Sequence, residues 1–273
     1  MVSRLRAVAR AVLPVKMQHA YRVLRHTVLF PCERELVHMR RFLDPGKVAI
    51  DVGANVGLYT SVLARRAKRV IAFEPHPDCA DYLRRLAIRN SEVREAAVSD
   101  RAGTRRLRVP LDGQTSLHAL GTIETGNDFR SEARASSVRE VTVETVTLDD
   151  ALCGKTPCDD GIGFIKVDVE GHELGVLKGA ERVVDRHRPV FLIEVEFRHT
   201  PAVGETFSYF ERHGYVARAV LDDGLVPIDA EQLRRLQSED RLARKLKEPA
   251  YFGYVNNVFF IPAEKEDGPV RPD

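Results

Sequence analysis

Residues 48–60, Val-Ala-Ile-Asp-Val-Gly-Ala-Asn-Val-Gly-Leu-Tyr-Thr, constrain the fold more than any other stretch of the chain. A short apolar run of strand character ends in an acid and a glycine-rich turn, and residues 58–67 then read as a helix. Glycine lets a backbone take positive φ and pass close to a ligand, so Gly53 and Gly57 mark a tight, open loop. The motif repeats. Residues 70–73 are a second buried strand ending at Glu74; Pro75 stops it, and 78–88 has helical character. Further strands are expected at 93–98, 164–168, 190–196, 215–220 and 254–261, with helices running to Ala180 and over 206–212. Such alternation predicts a parallel sheet with helices on both faces and right-handed crossovers. The last two strands flank a polar helical stretch at 229–246, which predicts an antiparallel edge.

Residues 101–150 break the rhythm. Residues 105–109 and 141–146 alternate like a hairpin, and the polar Gly/Ser/Thr-rich stretch between them is long enough to suggest a functional loop. The domain is expected over 41–262, after a basic amphipathic helical extension at 1–40 and before a flexible tail at 263–273. With 44% hydrophobic and 30% charged residues in 273, the chain has a globular balance, which excludes wholesale disorder. Its net charge is +2, yet residues 1–30 carry six Arg/Lys and no acid. The remainder, at −4, should not attract a polyanion, so no nucleic acid is expected. Leu5, Val8, Val12, Met17, Tyr21 and Leu24 follow helical spacing around Pro14, predicting a kinked helix packed on the domain. The sharper alternative is a weak contact with a membrane surface or an acidic carrier. Cys32, Cys79, Cys153 and Cys158 do not form a disulfide framework and are read as reduced thiols. No apolar run approaches the ~18 residues of a membrane span, and a cytoplasmic location is expected.

Charge selects the ligand. The loop reads Asp-x-Gly-x-x-x-Gly, and Asp51 sits where a pyrophosphate would meet an uncompensated carboxylate. A ligand bearing an amine and a sulfonium would be attracted instead, as S-adenosylmethionine does. Glu74, 21 residues after Gly53, suits a ribose diol, although NAD would be served equally well and a solvated strand-end acid is the bland alternative. Lys166, Asp168 and Glu170 alternate, so they are expected on one face of a strand leaving the sheet. Three charges there are costly to bury unless paired. Glu194 ends the next strand, and His199 follows it.

Taken together, residues 51–57 (Asp-Val-Gly-Ala-Asn-Val-Gly), Phe73-Glu-Pro75, Ala97-Val-Ser-Asp100, Thr147-Leu-Asp-Asp150, Lys166-Val-Asp-Val-Glu-Gly171, Leu177-Lys-Gly-Ala180 and Ile193-Glu194 resemble FkbM-type methyltransferases. The likeness covers about 45–262 and leaves 1–40 largely uncovered. It implies an α/β class I (Rossmann-like) fold, with a mostly parallel seven-stranded sheet, helices on both faces and the last strand antiparallel. It further implies S-adenosylmethionine as cofactor and O-methylation of a hydroxyl on a secondary metabolite, glycan or lipid-linked acceptor. Carried over, Asp51, Gly53, Ala54, Asn55 and Gly57 would line the methionine portion. Glu74 would bind the ribose, Ala97 and Val98 would flank adenine, and 101–150 would help shape the acceptor pocket.

Methyl transfer to a hydroxyl needs an aligned oxygen and a base to take its proton. The candidates are Asp168, Glu170, Glu194 and His199, with Lys166 beside them. For Asp168 the competing reading is a structural ion pair with Lys166; Glu170 could start a helix, Glu194 could stand behind the site, and a loop His is often merely solvated. His172 is expected to be an early helix residue and no ligand. Lys166 on the same face argues against a metal, and none is expected. A nucleotide-linked oxidoreductase and a noncatalytic binding domain are the other readings, opposed respectively by Asp51 and by the intact motif positions. Ser116 and His118 in the long loop are generic hydrogen-bonding groups, and oligomeric state is open.

Overall fold

The apolar runs form strands where expected, because each can be buried on both faces. In chain order they are β1 (Val48–Val52), β2 (Arg69–Phe73), β3 (Ser91–Arg94), β4 (Ala97–Val98), β5 (Gly103–Asp112), β6 (Thr115–Ser116), β7 (Ser137–Val146), β8 (Ile162–Val167), β9 (Val190–Glu194), β10 (Tyr215–Leu221), β11 (Gly224–Pro227) and β12 (Asn257–Pro262). This is a computed structural model; it describes residues 14–29, 34–112, 115–116, 120–124, 137–153, 160–221, 224–248, 251 and 253–266.

The main sheet runs β11-β10-β12-β9-β8-β1-β2-β3. Its centre, from β9 to β3, is parallel, while β12 is antiparallel to both β9 and β10. The seven expected strands are present with the last one reversed, and β11 adds an eighth as an antiparallel hairpin on β10. The stretch 93–98 is not one strand. A turn at Glu95 and Ala96 ends β3, and β4 then leaves the main sheet to pair with β7. There it joins a second sheet, β4-β7-β5-β6, in which β5 and β7 form the long antiparallel hairpin expected between 101 and 150.

Alternation divides the core. Val48, Ile50, Val52, Ile165 and Val167 face the helices Glu173–Lys178, Glu181–His187 and Val203–Arg212. Ala49, Phe164, Val190, Leu192 and Phe259 face the helix Leu58–Leu63 and the N-terminal segment, through Val62, Leu63, Val23, Leu36 and Met39. The helix Val15–Leu24 buries His19 and Val23, and the ring of His19 meets Ser61 Oγ at 2.7 Å. Packing on the domain is thus its described role, with Met17, Tyr21 and Leu24 outward. Its continuation is a π-helix, Arg25–Leu29. The expected helical stretch before Pro14 lies outside the described residues, as do Cys32, Cys158, His118 and the side chains of Cys153 and Ser116. Cys79 is a buried free thiol.

The polar stretch at 229–246 becomes two helices, Ala230–Leu236 and Glu239–Lys247, the first opened by an Asp229–Gln232 capping box. The tail is not loose from its first residue. Ala263–Lys265 is a short 3-10 turn held by an Arg188–Glu264 ion pair at 2.9 Å and by a Lys265 contact to the Arg188 carbonyl. No helix among the described residues is long and apolar enough to cross a membrane.

Candidate active site

Two rows of side chains end the central strands on the face covered by the helix Leu58–Leu63. In the inner row Asp51 is in register with Lys166. One step outward, the same registers bring Gly53 beside Asp168, Asp168 beside Glu194, and Glu194 opposite Asn257. Parallel strands place all their carboxyl ends on one edge, so residues distant in sequence converge there.

The inner row is fully enclosed. Asp51 is 1% exposed and accepts a hydrogen bond from the Thr60 hydroxyl at 2.5 Å. Burial pushes its carboxyl up to about 6, with Thr60 and Lys166 opposing. Lys166, also 1% exposed, donates to Asn257 Oδ1 at 3.1 Å and to the Val167 carbonyl at 3.2 Å. Its Nζ lies 4.9 Å from the Tyr59 ring centre and 3.9 Å from Asp168 Oδ2. A buried ammonium needs such partners, and the helix supplies one of them.

Two glycines make the loop possible. Gly53 has φ +80° and Gly57 φ +81°, and a Cβ on Gly53 would stand 1.8 Å from the Asp168 carbonyl oxygen. The β1 and β8 strand ends therefore touch backbone to backbone, which draws Asp168 against the glycine loop. Asn55, itself at φ +48°, donates its N–H to Glu74 Oε2 at 2.6 Å, and the His76 N–H donates to Glu74 Oε1 at 2.8 Å. Each Glu74 oxygen keeps a further acceptor site for a ligand hydroxyl. Burial raises the Glu74 carboxyl to about 7 despite those two donors.

A first cleft opens above this loop, walled by Gly53, Asn55, Glu74, Pro75, Ala97, Val98, Leu107, Ile123, Asp168 and Glu170. A second cavity of about 510 Å³ lies on the other side of Asp168. The strand ends and the residues beside them give it Tyr59, Asp168, Glu194, Tyr254, Asn256 and Asn257, and the covering segments give it half-buried Arg34, Glu35 and Lys245 with exposed Arg25 and Leu246. Asp168 is a wall of both.

Of the residues expected at the cofactor, Gly53, Asn55, Glu74, Ala97 and Val98 are brought together in the first cleft. Asp51, Ala54 and Gly57 are not among its walls. Strand alternation turns Asp51 under the loop toward Thr60, Ala54 is buried against Leu83, and Gly57 packs against Leu83 and His19. Of the candidates for proton transfer, Asp168 and Glu194 share the second cavity. Glu170 does not continue a face with Lys166 and Asp168, because β8 ends at Val167 and Glu170 turns away at φ +52°. Its carboxylate meets His199 Nδ1 at 2.9 Å, and Glu170 is a wall of the first cleft. Burial would lower the His199 pKa, but the Glu170 carboxylate outweighs it and raises it. Glu194 is held well above the carboxylate range by burial and by the charges of Asp168 and Glu170. Its Oε1 accepts from Asn256 Nδ2 at 2.6 Å.

Four features escape a reading of the sequence. His172 stands at the start of the helix Glu173–Lys178 as expected, but it is also buried between Ser99 Oγ, at 2.9 Å, and the Glu124 carboxylate, tying the hairpin loop to the first cleft. Tyr59 and Asn257 enclose Lys166, and the N-terminal segment walls the second cavity. The described residues of 101–150 that reach a cleft, Leu107, Gly121 and Ile123, reach the first one. A polar Asn256-Asn257 doublet opening an apolar strand was the available signal for the third feature. Among the described residues no group of three His, Cys, Asp or Glu side chains is arranged to hold a metal ion.

A family model described as the methyltransferase FkbM domain matches residues 51–217. The 31-O-demethyl-FK506 methyltransferase FkbM of Streptomyces tacrolimicus is 30% identical over 204 residues, 66% of this chain and 76% of that protein. The hexuronic acid methyltransferase AglP of Haloferax volcanii is 31% identical over 131 residues, 47% of this chain and 48% of that protein. A crystal structure of methyltransferase FkbM from Methylobacillus flagellatus is similar at a TM-score of 0.44 and 17% identity, over 95% of this chain and 58% of that one. The chain thus spans less than two thirds of the last two.

Proposed function

The chain belongs to the FkbM methyltransferase family, with S-adenosylmethionine as its methyl donor, and from that premise we propose that it methylates a hydroxyl oxygen of a small-molecule or glycan acceptor. The residues present suit the donor. The Gly53 loop opens on the first cleft, Glu74 has acceptor capacity to spare, and the Glu74 and Asp168 carboxyl groups on the same wall suit a cationic ligand. When bound, the donor supplies a methyl group made electrophilic by its sulfonium. Gly53 and Asn55 would hold it along the loop, Glu74 would accept from its ribose, and Pro75, Ala97 and Val98 would flank its base.

The observation that carries this reading is the position of Asp168, a wall common to the two clefts. We assign the second cavity to the acceptor, and to Asp168 the task of accepting the hydroxyl proton as the oxygen becomes nucleophilic. Lys166, anchored by Asn257, stands 3.9 Å from the Asp168 carboxylate. Glu194, desolvated and beside the charge of Asp168, favours its protonated form, so the pair divides into one base and one neutral neighbour. Glu170 and His199 shape the turn that presents Asp168. The N-terminal segment and Tyr59 form part of the wall of this cavity.

Screening hydroxylated sugars and polyketides with a labelled methyl donor tests the activity, and Asp168→Asn tests the assignment. The variant should lose about 10²–10⁴-fold in kcat while binding S-adenosylhomocysteine like the parent. Unchanged turnover would remove Asp168 from the chemistry. Failure of the parent chain to bind S-adenosylhomocysteine would remove the reading itself.

A further inference from the structure

The second cavity is electrically two-ended. Its inner wall carries the carboxyl groups of Asp168 and Glu194 beside buried Asn257 and Tyr254. Its outer wall is built from exposed Arg25 and Leu246 and half-buried Arg34, Glu35 and Lys245, three cations against one acid. These cations come from two segments at opposite ends of the chain, the N-terminal stretch and the helix Glu239–Lys247. Arg34 and Lys245 have partners within the protein, so it is the summed field of this wall, with Arg25 outermost, that a ligand would feel.

Resting on the methyltransferase reading, we propose that the acceptor carries an anionic group, a carboxylate or a phosphate, bound at this mouth by Arg25 with Arg34 and Lys245. A neutral polyol would find no orienting field, and a cationic one would be repelled at the entrance. An anion entering reversed would meet the Asp168 carboxylate at the inner end, which repels it. Charge at the mouth and acid at the base therefore point the uncharged, hydroxyl-bearing side of the molecule at Asp168. Guanidinium groups suit both candidate anions, since their planar fork pairs with either through two donors. Leu246, 75% exposed at the same mouth, offers an apolar contact beside the charge.

The test uses the full chain saturated with S-adenosylhomocysteine and three sugars with the same ring: glucose, glucuronate and glucose 6-phosphate. Binding is followed by saturation-transfer NMR at low and high salt. At least one of the two anionic sugars should bind saturably, about tenfold or more tighter than glucose, and high salt should weaken it. Arg25→Glu should abolish that preference, and Lys245→Glu, on the other segment, should reduce it independently. The carboxylate and phosphate arms distinguish which anion the mouth prefers. Equal binding of glucose, no binding of either anion, or a preference that survives both substitutions would overturn the proposal. Calorimetric titration of each protein with S-adenosylhomocysteine separates the outcomes. Intact binding with no anion preference refutes only the anionic acceptor, whereas loss of binding in the parent refutes the underlying reading as well.

Discussion

Gly53→Ala, set against Gly161→Ala, isolates what the glycine loop does. Both residues lie in the left-handed region, at φ +80° and +69°, so both substitutions share the conformational penalty of about 1–2 kcal/mol for a residue with a Cβ. Part of it is offset by a less flexible unfolded chain, worth about 0.4–1 kcal/mol. Around Gly161 nothing lies within 4 Å of the added carbon, so the net cost there should be about 1 kcal/mol, or about 2–4 °C in Tm. At Gly53 the carbon would stand 1.8 Å from the Asp168 carbonyl oxygen and 2.9 Å from its carbon. Ordinary carbon–oxygen approach is about 3.3 Å, so the two strand ends must separate by about 1.5 Å. That movement strains the Asp168 N–H bond to Val52 O and the Gly53 N–H bond to Phe73 O, both 3.0 Å. Overpacking and two weakened bonds bring the expected cost to about 3–5 kcal/mol. Asp168 and the first cleft move with the loop, so S-adenosylhomocysteine affinity should fall by about a hundredfold or more, while Gly161→Ala should bind like the parent. Thermal unfolding and calorimetric titration of the three proteins decide it. Equal destabilisation by the two substitutions, with binding retained in Gly53→Ala, would refute the backbone contact as the organiser of the site.

The stability of the ligand-free protein should depend on pH through its buried acids. Burial raises Glu173, which accepts the Gly171 N–H at 2.8 Å, to about 7 from an ordinary 4.5. The folded state then holds a proton that the unfolded chain has released, so this contribution is complete below about pH 4 and is lost as pH rises through about 7. Glu173→Gln removes it, and its unfolding free energy relative to the parent should climb with pH by up to about 3 kcal/mol; a flat difference in urea titrations from acid to mildly alkaline pH would sink the idea. Asp51 and Glu74, raised to about 6 and about 7, act in the same sense, whereas His19 and His187, held below the usual value by burial, act oppositely over part of the range. At Glu74, the Gln variant should fold and bind S-adenosylhomocysteine about tenfold more weakly, since a charge-assisted bond is lost. The Ala variant orphans the Asn55 and His76 N–H groups and should also lose about 1–3 kcal/mol of stability, read by thermal unfolding.

Much of this is legible in the amino-acid sequence itself. The apolar runs, the Asp51–Gly57 turn, Glu74 at the next strand end and the order of helices between strands give the parallel core and the first cleft, because backbone strain and hydrophobic period are local properties. Asp168 is legible too, one residue past a buried strand. Its meaning is not, for that depends on β1, β9 and β12 arriving at one edge with Gly53, Glu194 and Asn257 in adjacent registers. Alternation along β8 places Lys166 and Asp168 together, but the left-handed turn at Glu170, which sends that carboxylate to His199, is a decision of the tertiary fold. So is the burial of Asp51 under the loop, since Thr60 had to come round on the helix to capture it. The second cavity is the clearest case. Arg25, Tyr59, Asp168, Lys245 and Asn256 have no common motif, and only long-range packing brings the two ends of the chain over the same strand termini. Local pattern decides what each segment becomes; which charges face one another is decided by sheet register and by what covers the strand ends, and neither is written in any one segment.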